Sequence, residues 1–433
     1  MKGTNGDVTE AAQDTSQYRL KSRRSFHGVG VDRETVSKEA FHEQDKDECF
    51  ADLQDEVSEQ NLRRVWSSLS GLWLAHSSFP AASEEPFHVR EVALLPRSKE
   101  SGESVLARHK IAVRCCKGCK YPDDRAPGQD NFSCARLPGG FRLHCVADGH
   151  GEEGNWVSER VVRALPYFLS SRDCRKMLRD GAVETAFTSA FERLQEDIVS
   201  ASRDAGVNVQ LSGTTVACIL RQIHSTVVWV ASTGDSRVIH VGRDGSVSFS
   251  TQDHKPCNPS ERQRVIMSGC EITTSDAANG EVLEKICLLG QRGKLPELGF
   301  TRSIGDLMYK KYGVTARPEV YKLEQELGDG SGHFLLASDG IWEFLSNEDV
   351  AEIVHRNLQA GVGKDAIVEE LVKVAEGKWK EHEFDYCDDI TLIMVPTRQV
   401  TAAPPAPDDS CLGGVVYASE ECLARVDRLC TIQ

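Results

Sequence analysis

Three apolar runs in this chain end or begin on aspartate. Phe141-Arg142-Leu143-His144-Cys145-Val146-Ala147 leads into Asp148-Gly149-His150-Gly151, and His333-Phe334-Leu335-Leu336-Ala337-Ser338 leads into Asp339-Gly340. Later in the chain the order reverses: Asp388-Asp389 opens the run from Ile390 to Val395. A carboxylate at the end of a buried strand is costly unless a cation meets it. Two bare carboxylates about 4 Å apart repel by about 4 kcal/mol at an effective dielectric of about 20. Hard divalent cations remove that repulsion, and an all-oxygen ligand set suits magnesium or manganese. The pattern therefore asks for a fold that brings strand ends, distant in sequence, to one metal-centred place. A single Asp-Gly would carry no such weight, because it is also a common hairpin corner.

Bulk properties narrow the field. The chain has 433 residues, enough for one large domain or two ordinary ones. With 40% hydrophobic and 27% charged residues, a soluble globular core is expected. A formal net charge of -15 argues against nucleic acid or an anionic membrane as the main partner. No apolar run approaches the roughly 20 residues that span a bilayer. The first residues, Met1-Lys2-Gly3-Thr4, have neither the apolar segment of a signal peptide nor a glycine at position 2 for myristoylation. The 15 cysteines are odd in number and show no framework, so reduced thiols in the cytoplasm or nucleus are expected. Cys116 and Cys119 form one Cys-x-x-Cys pair, but no second pair completes a four-ligand zinc site.

Periodicity places the elements. Residues 1 to about 55 are polar and aperiodic, and read as disordered. Leu62, Val65, Trp66, Leu69, Leu72 and Trp73 recur at helical spacing, which predicts an amphipathic helix near 57–76 at the end of an N-terminal extension, 1–104. A main domain is expected over 105–398, with a first strand at Val105 to Val113. Helices are predicted on Val157, Val161, Leu165 and Phe168, on Val183 to Ile198, and at about 346–359 and 364–382. Strands are predicted at Thr215 to Leu220, Thr226 to Ala231 and Ser236 to Val241. Residues 399–433 read as an Ala/Pro/Asp-rich linker and a tail. Strands grouped as hairpins, with helices in pairs, predict an α+β layered fold rather than a parallel βαβ sheet.

Nine short motifs follow one another along the domain. They are Arg125-Ala126-Pro127-Gly128-Gln129-Asp130-Asn131-Phe132, Asp148-Gly149-His150-Gly151, Ser212-Gly213-Thr214-Thr215, Gly234-Asp235-Ser236-Arg237, Asp253-His254-Lys255-Pro256, Thr301-Arg302-Ser303-Ile304-Gly305-Asp306, Ala316-Arg317-Pro318-Glu319-Val320, Ala337-Ser338-Asp339-Gly340-Ile341-Trp342-Glu343 and Asp388-Asp389-Ile390-Thr391. In this order the series resembles the metal-dependent serine/threonine protein phosphatases of type 2C. The resemblance implies a four-layer αββα sandwich of two antiparallel sheets flanked by helices, with the metals at one end. It implies two magnesium or manganese ions, with a weaker third, and phosphoproteins as substrates of a monomeric enzyme.

The resemblance also implies roles. Asp148 matches the carboxylate that bridges the two ions, the Gly149 carbonyl a ligand to one, and Asp339 and Asp388 the remaining carboxylates. Asp130 belongs to the same metal set, and Asp235 matches a residue at the weaker third ion, although a hairpin-turn aspartate explains it equally. His150 matches the general acid, and Arg125 the guanidinium that grips the substrate phosphate. Asp253 and Asp306 read mainly as structural or as supports of the site, holding turns and ordered waters near it. Residues 270–300 match a variable flap beside the site, where substrate selection is expected.

Two positions depart from the family pattern. Gln129 stands where glutamate is common, and Asp389 where asparagine is usual, which leaves a one-residue ambiguity between Asp388 and Asp389 as ligand. Three readings compete with this one, and the first, a calcium-binding structural protein, would need the clustered Asp-x-Asp loop of common calcium sites, which this chain lacks. Cys119 to Arg125 has the Cys-x5-Arg spacing of cysteine-dependent phosphatases, but Pro122 removes a backbone donor and Asp123 and Asp124 would repel the anion. A catalytically dead binding protein would have lost metal aspartates, whereas Asp148, Asp339 and Asp388 are all present.

Overall fold

Side chains alternate along the strands, and the central strands are buried on both faces, so two sheets must stack with helices outside them. In the computed structural model, which describes residues 57–66, 70–73, 106, 110–121, 124, 126–223, 225–276, 282–324, 327 and 331–397, this is what forms. One sheet runs Ser70–Trp73, Asn131–Leu137, Phe141–Ala147, Val216–Gln222, Val228–Thr233, Glu319–Leu323 in spatial order, with every pairing antiparallel. The other runs Val247–Ser250, Arg237–Val241, His333–Ala337, Ile390–Pro396, Ala112–Cys116, again antiparallel throughout.

Alternation decides which residues fill which layer. Phe132, Cys134, Val146 and Ile219 of the first sheet meet Val113, Phe334, Leu336, Ile393 and Val395 of the second in one inter-sheet core. Their neighbours Ala135, Leu137, Leu143 and Leu220 face the other way, onto the helices Gly154–Leu169 and Val183–Ala205. Ile390, Leu392 and Met394 likewise turn outward, onto the helices Asn347–Gln359 and Lys364–Glu383. Burying one such aliphatic or aromatic side chain contributes about 1.5–3 kcal/mol. Ser346 begins the helix Asn347–Gln359 with a capping box, exchanging hydrogen bonds with Asp349. The expected four-layer αββα sandwich is present.

Several elements differ from expectation. The helix predicted near 57–76 spans only Glu59–Trp66. Leu72 and Trp73 lie instead on the edge strand Ser70–Trp73, with Leu72 opposite Cys134. Gly71 is a poor helix former, and the open edge of Asn131–Leu137 offers backbone partners that a longer helix would forgo. The helix does pack on the main domain. Leu62, Val65 and Trp66 are fully buried against the helix Gly154–Leu169, and the Trp66 indole donates to the Arg163 carbonyl at 2.9 Å. Trp66→Ala is therefore expected to cost about 3–5 kcal/mol. Urea unfolding checks this, and a loss below about 1 kcal/mol would detach the segment from the core.

The first strand of the second sheet is Ala112–Cys116, not Val105 to Val113. Lys110 has a φ of 56°, a left-handed conformation that interrupts any strand before it. The helix Arg172–Arg179 was not foreseen, because it buries only Cys174 and Leu178 and so carries too little apolar periodicity. Within the expected flap, Cys270–Asp276 and Val282–Leu288 pair as a hairpin with its own small core of Val265, Ile286, Leu288, Leu298 and Tyr309. Residues 1–56, the predicted tail 399–433, Leu69 and Arg125 lie outside the described residues. No described helix is long and apolar enough to cross a membrane.

Candidate active site

Three of the nine motifs converge on a miniature sheet. Gly149–His150 pairs with Gly213–Thr214, which pairs with Ile304–Gly305. This places His150 beside Asp306, 156 residues away in sequence: His150 Nε2 and Asp306 Oδ2 are hydrogen-bonded at 2.8 Å. The ring leans on Phe300 with centroids 4.8 Å apart. Its Nδ1 is buried and has no hydrogen-bond partner among the described residues. A side chain at position 213 cannot be accommodated, since a Cβ there would lie 2.4 Å from Asp306 Oδ2. Asp306 adopts a left-handed φ of 47°, which turns its carboxylate back toward the strands. Burial alone would raise its pKa, but His150, Lys310 and the Ser303 hydroxyl hold it below the ordinary carboxylate range. Asp306 thus does more than hold a turn, because it fixes the ring of His150.

The carboxylates gather next to this sheet. Asp148 follows the strand Phe141–Ala147, and its main-chain carbonyl accepts from Thr215 N at 2.8 Å and Thr214 Oγ1 at 2.9 Å. Burial, then Asp339, Asp130, Asp388 and Asp235 in decreasing order, push the Asp148 carboxyl well above its usual pKa. Four aspartates from four separate motifs therefore act on it. Asp339 opens the helical turn Asp339–Trp342 at the end of the strand His333–Ala337. Gly149 makes a close backbone approach, for a Cβ there would sit 2.3 Å from the Gly154 carbonyl oxygen and 2.6 Å from that of Gln129.

The geometry separates the neighbouring pair. Asp389 is buried and spends both oxygens on backbone N–H groups, accepting from Gly118 N at 2.7 Å and from Gln129 N. Asp388 is the one of the pair whose charge acts on Asp148. Its Oδ1 lies 3.1 Å from Lys120 Nζ, and its Oδ2 accepts from the Tyr386 hydroxyl at 3.0 Å. Asp130 lies beneath the cluster, accepting from Ser338 Oγ at 2.6 Å; burial, followed by the charges of Asp389 and Asp388, raises its pKa to about 7. Asp235 is buried at the periphery, where burial raises its pKa although Lys255 opposes the shift. Asp253, as read from the sequence, is structural: it receives the Arg237 guanidinium at 2.9 and 2.8 Å, and that group also covers the Trp342 ring.

This donor set fits a hard divalent cation. It is all oxygen and it concentrates negative charge. Among the described residues no three or more His, Cys, Asp or Glu side chains stand together as a ready-made metal site. Like charges repel, and Ser338, Tyr386 and Lys120 each hold a carboxylate in place. Lys120 escaped the sequence reading, and the sequence carries no signal that tells Asp389 from Asp388 as anchor or ligand. Gln129, the other departure, donates its side-chain amide N–H to the Gly151 carbonyl and accepts on Oε1 from Lys120 Nζ at 2.9 Å. The Cys-x5-Arg reading loses its nucleophile, since burial and Asp124 raise the Cys119 pKa, opposite to what an attacking thiolate needs.

Comparison with known proteins agrees with this geometry. Residues 123–380 match the family model of protein phosphatase 2C. A probable protein phosphatase 2C 35 from Arabidopsis thaliana is 31% identical over 306 residues, covering 65% of this chain and 82% of the relative. A probable protein phosphatase 1N from Homo sapiens is 29% identical over 68% of this chain and 59% of its own length. Among solved structures, a serine-threonine phosphatase 2C from Toxoplasma gondii shares the fold with a TM-score of 0.53 at 22% identity, covering 66% of this chain and 94% of that one. The chain belongs to the protein phosphatase 2C family and is a protein serine/threonine phosphatase, a hydrolase.

Proposed function

We propose that this enzyme removes phosphate from phosphoserine and phosphothreonine with two magnesium or manganese ions held by Asp148, the Gly149 carbonyl, Asp339 and Asp388. A weaker third ion belongs near Asp235. When bound, such ions neutralise phosphate charge and acidify a water molecule so that it can serve as the nucleophile. The chain's own residues do the rest. Asp130, hydrogen-bonded to Ser338, belongs to the same metal set. Arg125 is assigned to the substrate phosphate, where a guanidinium fork matches two oxygens. His150 donates a proton to the departing serine or threonine oxygen, which leaves poorly as an alkoxide. Asp306, 2.8 Å from His150 Nε2, positions the ring for that transfer. A cytoplasmic or nuclear monomer is the setting this reading assumes.

The observation that carries the proposal is the pairing of Gly149–His150 with Gly213–Thr214 and of that strand with Ile304–Gly305, which sets Asp148 and His150 at one place in the fold, where burial and neighbouring aspartates raise the Asp148 pKa. The test is phosphate release from a phosphothreonine peptide by the full chain. Release is expected with manganese and is expected to cease in EDTA. Release that continues undiminished in EDTA would end the metal-dependent reading.

Asp306→Asn separates positioning from mere structure. The variant is expected to lower kcat on a phosphothreonine peptide roughly 10²-fold. On p-nitrophenyl phosphate, whose leaving group needs no proton, the loss should be small. Equal losses on both substrates would assign Asp306 to structure alone.

A further inference from the structure

Lys120 brings a fixed positive charge to the carboxylate cluster. Its Nζ lies 3.1 Å from Asp388 Oδ1 and 2.9 Å from Gln129 Oε1. The Lys120 and Asp388 side chains are only 15% and 17% exposed, so water screens the pair weakly. The backbone that carries the lysine is pinned. Cys119 and Cys387 exchange both main-chain hydrogen bonds, at 2.9 and 2.8 Å, and Lys120 N donates to Asp124 Oδ2 at 3.1 Å. Gly118 N donates to Asp389 Oδ1 at 2.7 Å, and a Cβ at position 118 would lie 2.2 Å from the Cys387 carbonyl oxygen. The ammonium is therefore delivered to Asp388 by the fold rather than by a freely moving surface side chain.

We propose that Lys120 is a built-in counter-ion that competes with a divalent cation for Asp388 and so sets the metal affinity of the site. The inference rests on the metal-dependent reading above. A cation binding at Asp388 must take an oxygen from the ammonium and then sit near a like charge, and both effects weaken binding. Gln129 adds to the effect, because a neutral amide stands where the family commonly has a carboxylate. Occupancy, and with it activity, would then follow the free divalent-cation concentration over a higher range than the carboxylate count alone implies.

Manganese titration of the full chain by calorimetry, without substrate, tests this directly. Lys120→Met is expected to tighten at least one class of manganese site by about tenfold or more, while Lys120→Arg stays close to wild type. Lys120→Gln, a polar replacement should the methionine variant fold poorly, is expected to shift in the same direction. Combining Lys120→Met with Asp388→Asn should abolish the gain, because the contested oxygen is then neutral. An unchanged isotherm in Lys120→Met and Lys120→Gln overturns the proposal. If that unchanged isotherm comes with a raised KM for a phosphothreonine peptide, Lys120 belongs to substrate phosphate instead. A wild-type chain that binds no manganese at all overturns the metal reading itself, which the isotherm distinguishes from failure of this inference alone.

Discussion

Asp148→Asn is expected to abolish phosphatase activity while making the metal-free protein more stable. Losing the proposed metal carboxylate should lower kcat by at least about 10³-fold, at or beyond the upper end for loss of one electrostatic contact. The stability effect has the opposite sign. Asp148 is burdened first by burial and then by Asp339, Asp130, Asp388 and Asp235. A pair of carboxylates about 4 Å apart repels by about 4 kcal/mol at an effective dielectric of about 20, so an uncharged isostere relieves strain of that order at most. A melting temperature raised by a few degrees in EDTA is expected, because 1 kcal/mol corresponds to about 2–4 °C in a domain of 150–250 residues. Manganese should raise the melting temperature of the wild type by mass action and leave that of the variant nearly unchanged. If Asp148→Asn melts lower than wild type in EDTA, the carboxylates are not in mutual repulsion and the cluster has been misread.

The second large effect is expected at His150. His150→Gln should lower kcat on a phosphothreonine peptide by roughly 10²–10⁴-fold, the usual contribution of a positioned general acid. The manganese isotherm should not change, since the ring is engaged with Asp306 and Phe300 rather than with the carboxylates. As with Asp306→Asn, p-nitrophenyl phosphate should be hydrolysed at close to the wild-type rate. A variant that loses both substrates equally, or loses manganese binding as well, would remove His150 from the proton-transfer role.

Much of the fold was legible because its strands and helices carry strong, regular signals. The strand Phe141–Ala147 and the helices Val183–Ala205, Asn347–Gln359 and Lys364–Glu383 stand close to their predicted positions. Errors fell where a local signal met a tertiary one. The apolar spacing from Leu62 to Trp73 suits one long helix, yet an unpaired sheet edge claims Ser70–Trp73 as a strand. The hairpin of Cys270–Asp276 and Val282–Leu288 was hidden because only part of it is buried, and its partly polar strands resemble loop. The Arg172–Arg179 helix buries two apolar side chains, too few for a period to show.

By itself the sequence determined the type of chemistry and the class of fold. Aspartates at strand ends, the order of the motifs and the alternation of apolar residues are local properties, readable one segment at a time. Only the tertiary structure decided how those residues divide the work. Asp388 and Asp389 are chemically identical neighbours, and their roles part because Asp389 meets the backbone N–H groups of Gly118 and Gln129 while Asp388 meets Lys120 and Tyr386. Asp306 becomes the partner of His150 only because the strands Gly149–His150, Gly213–Thr214 and Ile304–Gly305 pair across long stretches of chain. The physical reason is range. Propensity and periodicity act over a few residues, whereas burial, hydrogen-bond satisfaction and Coulombic fields depend on which distant groups the packed chain brings within a few ångströms.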